Sequence, residues 1–234
     1  MQLVWMQLPR WPLITPCEST PLRARGCVNS LNFMLDPVFR PIIQRPLDAA
    51  GRWLAGIGLS ANHVTIAGLG LGLAAAIAIA LGGFAIGLLL FLLSRIADGL
   101  DGAMARATMP TDQGGFLDIA LDFFVYAAIP LAFAVYDPPS NAFSAALLLA
   151  SFLANGSVFL AFAILAEKRA LVSYFRDSRS IYYIGGIAEG SETIAFFSAF
   201  CLFPSAFPVL ALIFGIICIV SAIARVRLGW KKLA

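Results

Sequence analysis

Asp98-Gly99-Leu100-Asp101-Gly102-Ala103-Met104-Ala105-Arg106, a seven-residue gap, and then Gly114-Gly115-Phe116-Leu117-Asp118-Ile119-Ala120-Leu121-Asp122 decide how this chain is read. Asp98 and Asp101 lie three apart and Asp118 and Asp122 four apart, spacings that put each pair on one face of a helix. Apolar sequence long enough to span a bilayer flanks both pairs. An ionised carboxylate at mid-membrane costs about 2.5–3.5 kcal/mol on the insertion scale, and less near the interface. One acid is tolerable at that cost. Four at helical spacing call for countercharge, and only Arg95 and Arg106 are close in sequence. A pair of divalent cations would supply it.

Composition sets the solvent. The 234 residues are 60% hydrophobic and 12% charged, with mean hydropathy +0.88. Soluble domains carry about 25% charged residues, so this is the profile of a polytopic membrane protein. The net charge of +3 is small and scattered, and no nucleic-acid partner is expected. Cys17, Cys27, Cys201 and Cys218 show no CxxC spacing, which argues against a zinc site or a disulfide framework. In residues 1–35, Pro9 and Pro12 interrupt the one apolar stretch, and the segment reads as a flexible tail rather than a cleaved signal.

Six apolar segments follow, roughly 62–82, 84–105, 115–136, 142–166, 188–204 and 207–225. The turns Gly82-Gly83, Asp137 to Ser140 and Pro204 to Pro208 carry no basic residue. The regions that alternate with them hold Arg40, Arg45 and Arg52, then Lys168, Arg169, Arg176 and Arg179, then Arg227, Lys231 and Lys232. Under the positive-inside rule this pattern predicts six transmembrane helices with both termini cytoplasmic, in a cytoplasmic (inner) membrane. The acids between the second and third spans then face the cytoplasm. Residues 36–57 mix Val38, Ile42, Leu47 and Trp53 with arginines and prolines, and predict a broken amphipathic helix lying in the headgroup plane. The expected fold class is all-α. The expected partition is a tail at 1–35, a juxtamembrane helix at 36–60, a six-helix domain at 61–227 and a basic tail at 228–234.

On the second span Asp98, Asp101, Gly102 and Ala105 form one stripe; on the third, Asp118 and Asp122 form another. The short loop predicts antiparallel neighbours whose stripes converge near one membrane surface. All-oxygen donors favour Mg²⁺ or Mn²⁺, whereas zinc prefers His or Cys, and His63 is the chain's one histidine. Two such ions suit phosphoryl chemistry: they neutralise a diphosphate and acidify an attacking oxygen. Gly102 and Ala105 leave room for a phosphate or nucleotide to approach the backbone, and Arg106 offers a fork of donors beside them.

The stretch Asp98–Asp122 resembles the signature of the CDP-alcohol phosphatidyltransferases, D-x-x-D-G-x-x-A-R, a loop of about eight, then G-x-x-x-D-x-x-x-D. The likeness extends over roughly 36–227. The loop is one residue short when Gly114 is taken as the signature glycine; Gly115 would restore the loop but spoil the spacing to Asp118. The resemblance implies that Asp98 and Asp118 bridge two Mg²⁺ or Mn²⁺ ions, with Asp101 completing one shell and Asp122 the other. It further implies that Asp122 is the general base, that Gly102 and Arg106 contact the CDP moiety, and that Thr111 reaches its phosphates. It implies attack on the β-phosphorus with CMP leaving, a donor such as CDP-diacylglycerol drawn from membrane lipid, a small alcohol acceptor, and a homodimer. A CDP-linked headgroup donor with diacylglycerol as acceptor is the alternative.

Other residues are less specific. Ala61-Asn62-His63-Val64-Thr65 opens the first span where the family has Pro-Asn-x-apolar-Thr near the nucleotide, so Asn62 is a candidate substrate contact; helix capping by Ser60 or Asn62 competes with that reading. Glu189 and Glu192 open the fifth span, where acids favour the helix N-terminus, yet they could also pair with Arg95 or shape an acceptor pocket. Arg176 and Arg179 could receive an acceptor phosphate, though positive-inside charge and lipid headgroup contact are the preferred reading. Gly68, Gly70 and Gly72 are spaced for close helix packing. Two readings of other classes are a divalent-cation transporter and an inactive membrane scaffold. A transporter would spread its acids through the bilayer depth, whereas these cluster at one surface.

Overall fold

The computed structural model describes residues 36–168 and 190–233, and every regular element among them is helical. In chain order these are α1 (Asp36–Gly56), α2 (Ala61–Ala80), α3 (Phe84–Ala107), α4 (Asp112–Tyr136), α5 (Pro138–Lys168), α6 (Gly190–Leu202), a 3₁₀ turn (Pro204–Ala206) and α7 (Phe207–Leu233). The expected 1–35 tail, Arg176, Arg179 and Glu189 lie outside the described residues.

Four stretches are long and apolar enough to cross a membrane: Ala61–Ala80, Asp112–Tyr136, Pro138–Leu165 and Pro204–Lys231. With 24 residues α3 has the length, but Arg95, Asp98, Asp101 and Arg106 interrupt its apolar run. The 13 described residues of α6 fall short of the ~20 a span needs. Two boundaries differ from expectation. Residues 36–56 form one continuous helix that runs through Pro41 and Pro46, where a break was expected. The last helix continues to Leu233, well past 225, so most of the expected basic tail is helical.

α2 is the hub. It packs against both α3 and α4, while α1 lies on α3, α4 on α5, and α5 on α7. α3 and α4 approach each other less closely along their backbones, but their side chains meet directly, Arg95 of α3 lying 2.7 Å from Asp122 of α4, so the expected neighbouring pair is present with both helices also seated on α2. Glycine explains why one helix can seat two partners. A Cβ at Gly68 would lie 3.3 Å from the Ala97 Cβ of α3, and one at Gly72 only 2.6 Å from the Val125 Cγ2 of α4. Gly70, expected in the same seam, faces open space, because a residue two positions along turns to the other side of the helix. The α2–α3 turn needs Gly82 at φ +82°, a region side chains avoid. α1 joins through the same device: a Cβ at Gly51 would lie 2.8 Å from the Ala103 Cβ.

The main core is aromatic. Phe91, Phe133, Phe197, Phe200, Phe207 and Phe214 are all but fully buried. Phe133 and Phe207 stack with centroids 4.4 Å apart, and Phe200 meets Phe207 edge-on at 5.0 Å. Such pairs contribute about 0.5–1.5 kcal/mol each beyond their burial.

Candidate active site

A cleft among α2, α3 and α4 is lined by Thr65 of α2, by Arg95, Asp98 and Asp101 of α3, and by Asp118 and Asp122 of α4. Asp98, Asp101 and Asp118 each place a carboxylate oxygen within 4.8 Å of the other two. Asp101 is only 4% exposed, and its Oδ2 is buried without a hydrogen-bond partner. An orphaned buried carboxylate oxygen is costly, and a ring of hard oxygens around it has the chemistry that Mg²⁺ or Mn²⁺ selects. These residues fit a divalent cation.

Asp122 lines the same cleft but is engaged differently. Arg95 Nη1 donates to its Oδ1 at 2.7 Å, and the Tyr126 hydroxyl donates to its Oδ2 at 3.4 Å. Arg95 Nη1 also lies 3.9 Å from Asp98 Oδ2. The guanidinium is braced further by Ser94, although its Nε is buried without a hydrogen-bond partner: Nη2 donates to Ser94 Oγ at 3.2 Å, and that hydroxyl donates to the Gly68 carbonyl at 2.8 Å. The Phe91 and Tyr126 rings flank it at 5.9 and 5.5 Å from their centroids. Arg95, read from sequence as a nearby countercharge, is therefore part of the site, and Ser94 and Tyr126 join it. Both could have been found by extending the acid stripes one turn, four residues before Asp98 and four after Asp122.

The remaining candidates sit around the rim. Gly102 has nothing nearer its missing side chain than Arg106 Nη1, at 3.4 Å. Arg106 itself reaches back to α1 and pairs with Asp48 Oδ1 at 3.0 Å, both side chains being partly exposed. Thr111 is the N-cap of α4, its Oγ1 accepting from the Gly114 amide at 3.1 Å. Asn62 meets the same turn: a Cβ at Gly114 would lie 3.1 Å from Thr111 Oγ1 and 3.2 Å from Asn62 Oδ1, whereas Gly115 faces open space. Side-chain crowding thus falls on Gly114. Ser60 occupies the N-cap position of α2 without making a side-chain cap; its hydroxyl meets His63 Nδ1 at 2.9 Å. On α6, the Ser191 hydroxyl donates to Glu192 Oε2 at 3.0 Å.

Comparison with known proteins agrees with this geometry. The sequence profile of the CDP-alcohol phosphatidyltransferase family matches residues 59–224, and the chain belongs to that family. It is similar to the inner membrane protein YnjF of Escherichia coli (strain K12), with 42% identity over 200 residues, 86% of this chain and 97% of that one. It shares 31% identity over 161 residues with the archaetidylinositol phosphate synthase of Methanothermobacter thermautotrophicus, 67% of this chain and 71% of that one. Its fold is like that of the Mycobacterium tuberculosis phosphatidylinositol phosphate synthase PgsA1, solved with CDP-DAG bound: the TM-score is 0.63 at 21% identity, over 80% of this chain and 94% of the other. The chain is accordingly a multi-pass membrane transferase of phospholipid biosynthesis, moving a substituted phosphate group from a CDP-alcohol to an acceptor alcohol.

Proposed function

We propose that the protein transfers the phosphatidyl group of CDP-diacylglycerol to a small hydroxylated acceptor, releasing CMP at the α2–α3–α4 cleft. One observation carries this reading: three carboxylates from two helices converge around a buried, unpartnered oxygen of Asp101, with Asp122 beside them. Asp98, Asp101, Asp118 and Asp122 would hold two divalent cations, Mg²⁺ or Mn²⁺. When bound, those ions supply charge neutralisation for the pyrophosphate and acidify the acceptor hydroxyl.

The chain's own groups do the rest. Asp122 takes the proton from the acceptor oxygen, standing at the cleft with one carboxylate oxygen only loosely held by Tyr126. Gly102 leaves the backbone open to the cytidine diphosphate, and Arg106 leaves its exposed partner Asp48 to meet a phosphate. Thr111 and Asn62 flank the N-terminus of α4, where amide N–H groups favour an anion.

We further propose that α3 and α6 also cross the bilayer, giving six spans over 61–227 with both termini cytoplasmic, and that α1 lies along the interface. Its docking on α3 and the outward exposure of Trp53 support that placement. A homodimer is expected. The names of the archaetidylinositol phosphate synthases among its relatives make inositol phosphate the first acceptor to try.

The test is CMP release by purified protein given CDP-diacylglycerol, Mg²⁺ and a panel of acceptors that includes inositol phosphate, glycerol 3-phosphate and serine. A second arm offers CDP-linked headgroups with diacylglycerol. CMP formation with one acceptor, absent from Asp122→Asn, supports the reading; no CMP above that control in either arm refutes it.

A further inference from the structure

Arg95 is a cation built into a site whose acids are suited to bind cations. It is only 8% exposed at the side chain, and two aromatic rings and Ser94 fix it in place. It cannot swing out to solvent without losing all three supports. Its Nη1 lies 2.7 Å from Asp122 and 3.9 Å from Asp98. Both oxygens of Asp122 face protein donors, Arg95 and Tyr126, while Asp98, Asp101 and Asp118 gather without it. The four acids are therefore not equivalent. Three face one another, and the fourth is held by a resident guanidinium.

We propose that Arg95 competes with metal for Asp122 and so makes cation loading stepwise. This rests on the reading of the acid cluster as a divalent-cation site. The first ion takes the Asp98–Asp101–Asp118 trio. The second needs Asp122, and since Arg95 is pinned, the shorter carboxylate has to turn away from it. Arg95 then stays in the site as a fixed positive charge, which lowers the affinity of the second ion relative to the first through direct repulsion at short range and low local dielectric. It also serves as countercharge for the acids before loading, which keeps them from facing one another uncompensated. Arg95 is thus a positioning residue: it sets where Asp122 points and at what ion concentration the site is complete.

The experiment is a Mn²⁺ titration of the purified full-length protein in detergent, with free Mn²⁺ read by electron paramagnetic resonance and folding followed by thermal melts with and without Mn²⁺. The wild type should show two classes of site, the second weaker by about tenfold or more. Arg95→Gln should tighten the second class about tenfold, lower the melting temperature in chelator and restore it with Mn²⁺. Arg95→Lys should keep the two-class pattern. Tyr126→Phe, which frees one oxygen of Asp122 and leaves Arg95 in place, should tighten the second class about threefold. If Arg95→Gln does not fold, the Lys and Phe variants decide. Two equal sites in the wild type, or a weak class unmoved by both Arg95→Gln and Tyr126→Phe, would overturn the proposal. A wild-type protein that binds no Mn²⁺ would instead bring down the ion-site reading beneath it.

Discussion

Two regions of the helix bundle are built on opposite principles. In one, α4, α6 and α7 are joined through phenylalanine: Phe133 of α4 stacks on Phe207 of α7 at 4.4 Å, and Phe196 of α6 stacks on Phe214 of α7 at the same separation. In the other, α3 and α4 sit on the glycine face of α2, and their carboxylates meet in the cleft. The first arrangement satisfies itself. The second leaves Asp101 Oδ2 without a partner and enlists Arg95 to offset charge. The aromatic region is closed by its own packing, and the acid cleft is left free to bind something that brings its own positive charge.

Substitutions in the two regions should separate stability from chemistry. Asp118→Asn should lower CMP release by about 10³-fold, equivalent to ~4 kcal/mol of barrier, while leaving the melting temperature in detergent unchanged or raised. A loss of fold alongside activity would show that the acids are structural. Phe133→Ala should do the reverse, destabilising by about 3–5 kcal/mol while activity per folded molecule stays near wild type; chemical unfolding with a parallel assay reads both. Thr111→Ala removes the α4 cap and should cost about 1 kcal/mol, with a change in donor KM only if the rim it shares with Asn62 and Gly114 touches substrate. Asp48→Ala should be the mildest. Its pair with Arg106 is partly exposed, such pairs contribute about 0–1 kcal/mol, and the freed Arg106 should lower the donor KM slightly or leave it alone.

Much of this was legible in the sequence because helical spacing and membrane cost are one-dimensional signals. Four acids at three- and four-residue intervals inside apolar sequence predict two stripes, and the structure brings Asp98, Asp101 and Asp118 together from both helices. The all-helical class followed from composition. What stayed hidden was three-dimensional. That α2 would seat both α3 and α4 depends on Gly68 and Gly72 meeting Ala97 and Val125, contacts no spacing rule assigns to a partner. Local propensity argued for a break at Pro41 and Pro46, but α1 runs through both. Arg95 was visible as a nearby charge, yet its choice of Asp122 over closer acids in sequence needed the Ser94 and Tyr126 scaffold. The 13 described residues of α6 are shorter than a span, and the six-span reading rests on charge pattern.

The most direct measurement is an anomalous difference map from crystals grown with Mn²⁺ and a non-hydrolysable CDP-linked lipid. The account predicts metal density in the cleft between α3 and α4, ligated by Asp98, Asp101 and Asp118 and completed by Asp122, with the pyrophosphate against it. Clear density for the lipid with no metal at these four side chains, or metal bound elsewhere in the protein, would contradict it.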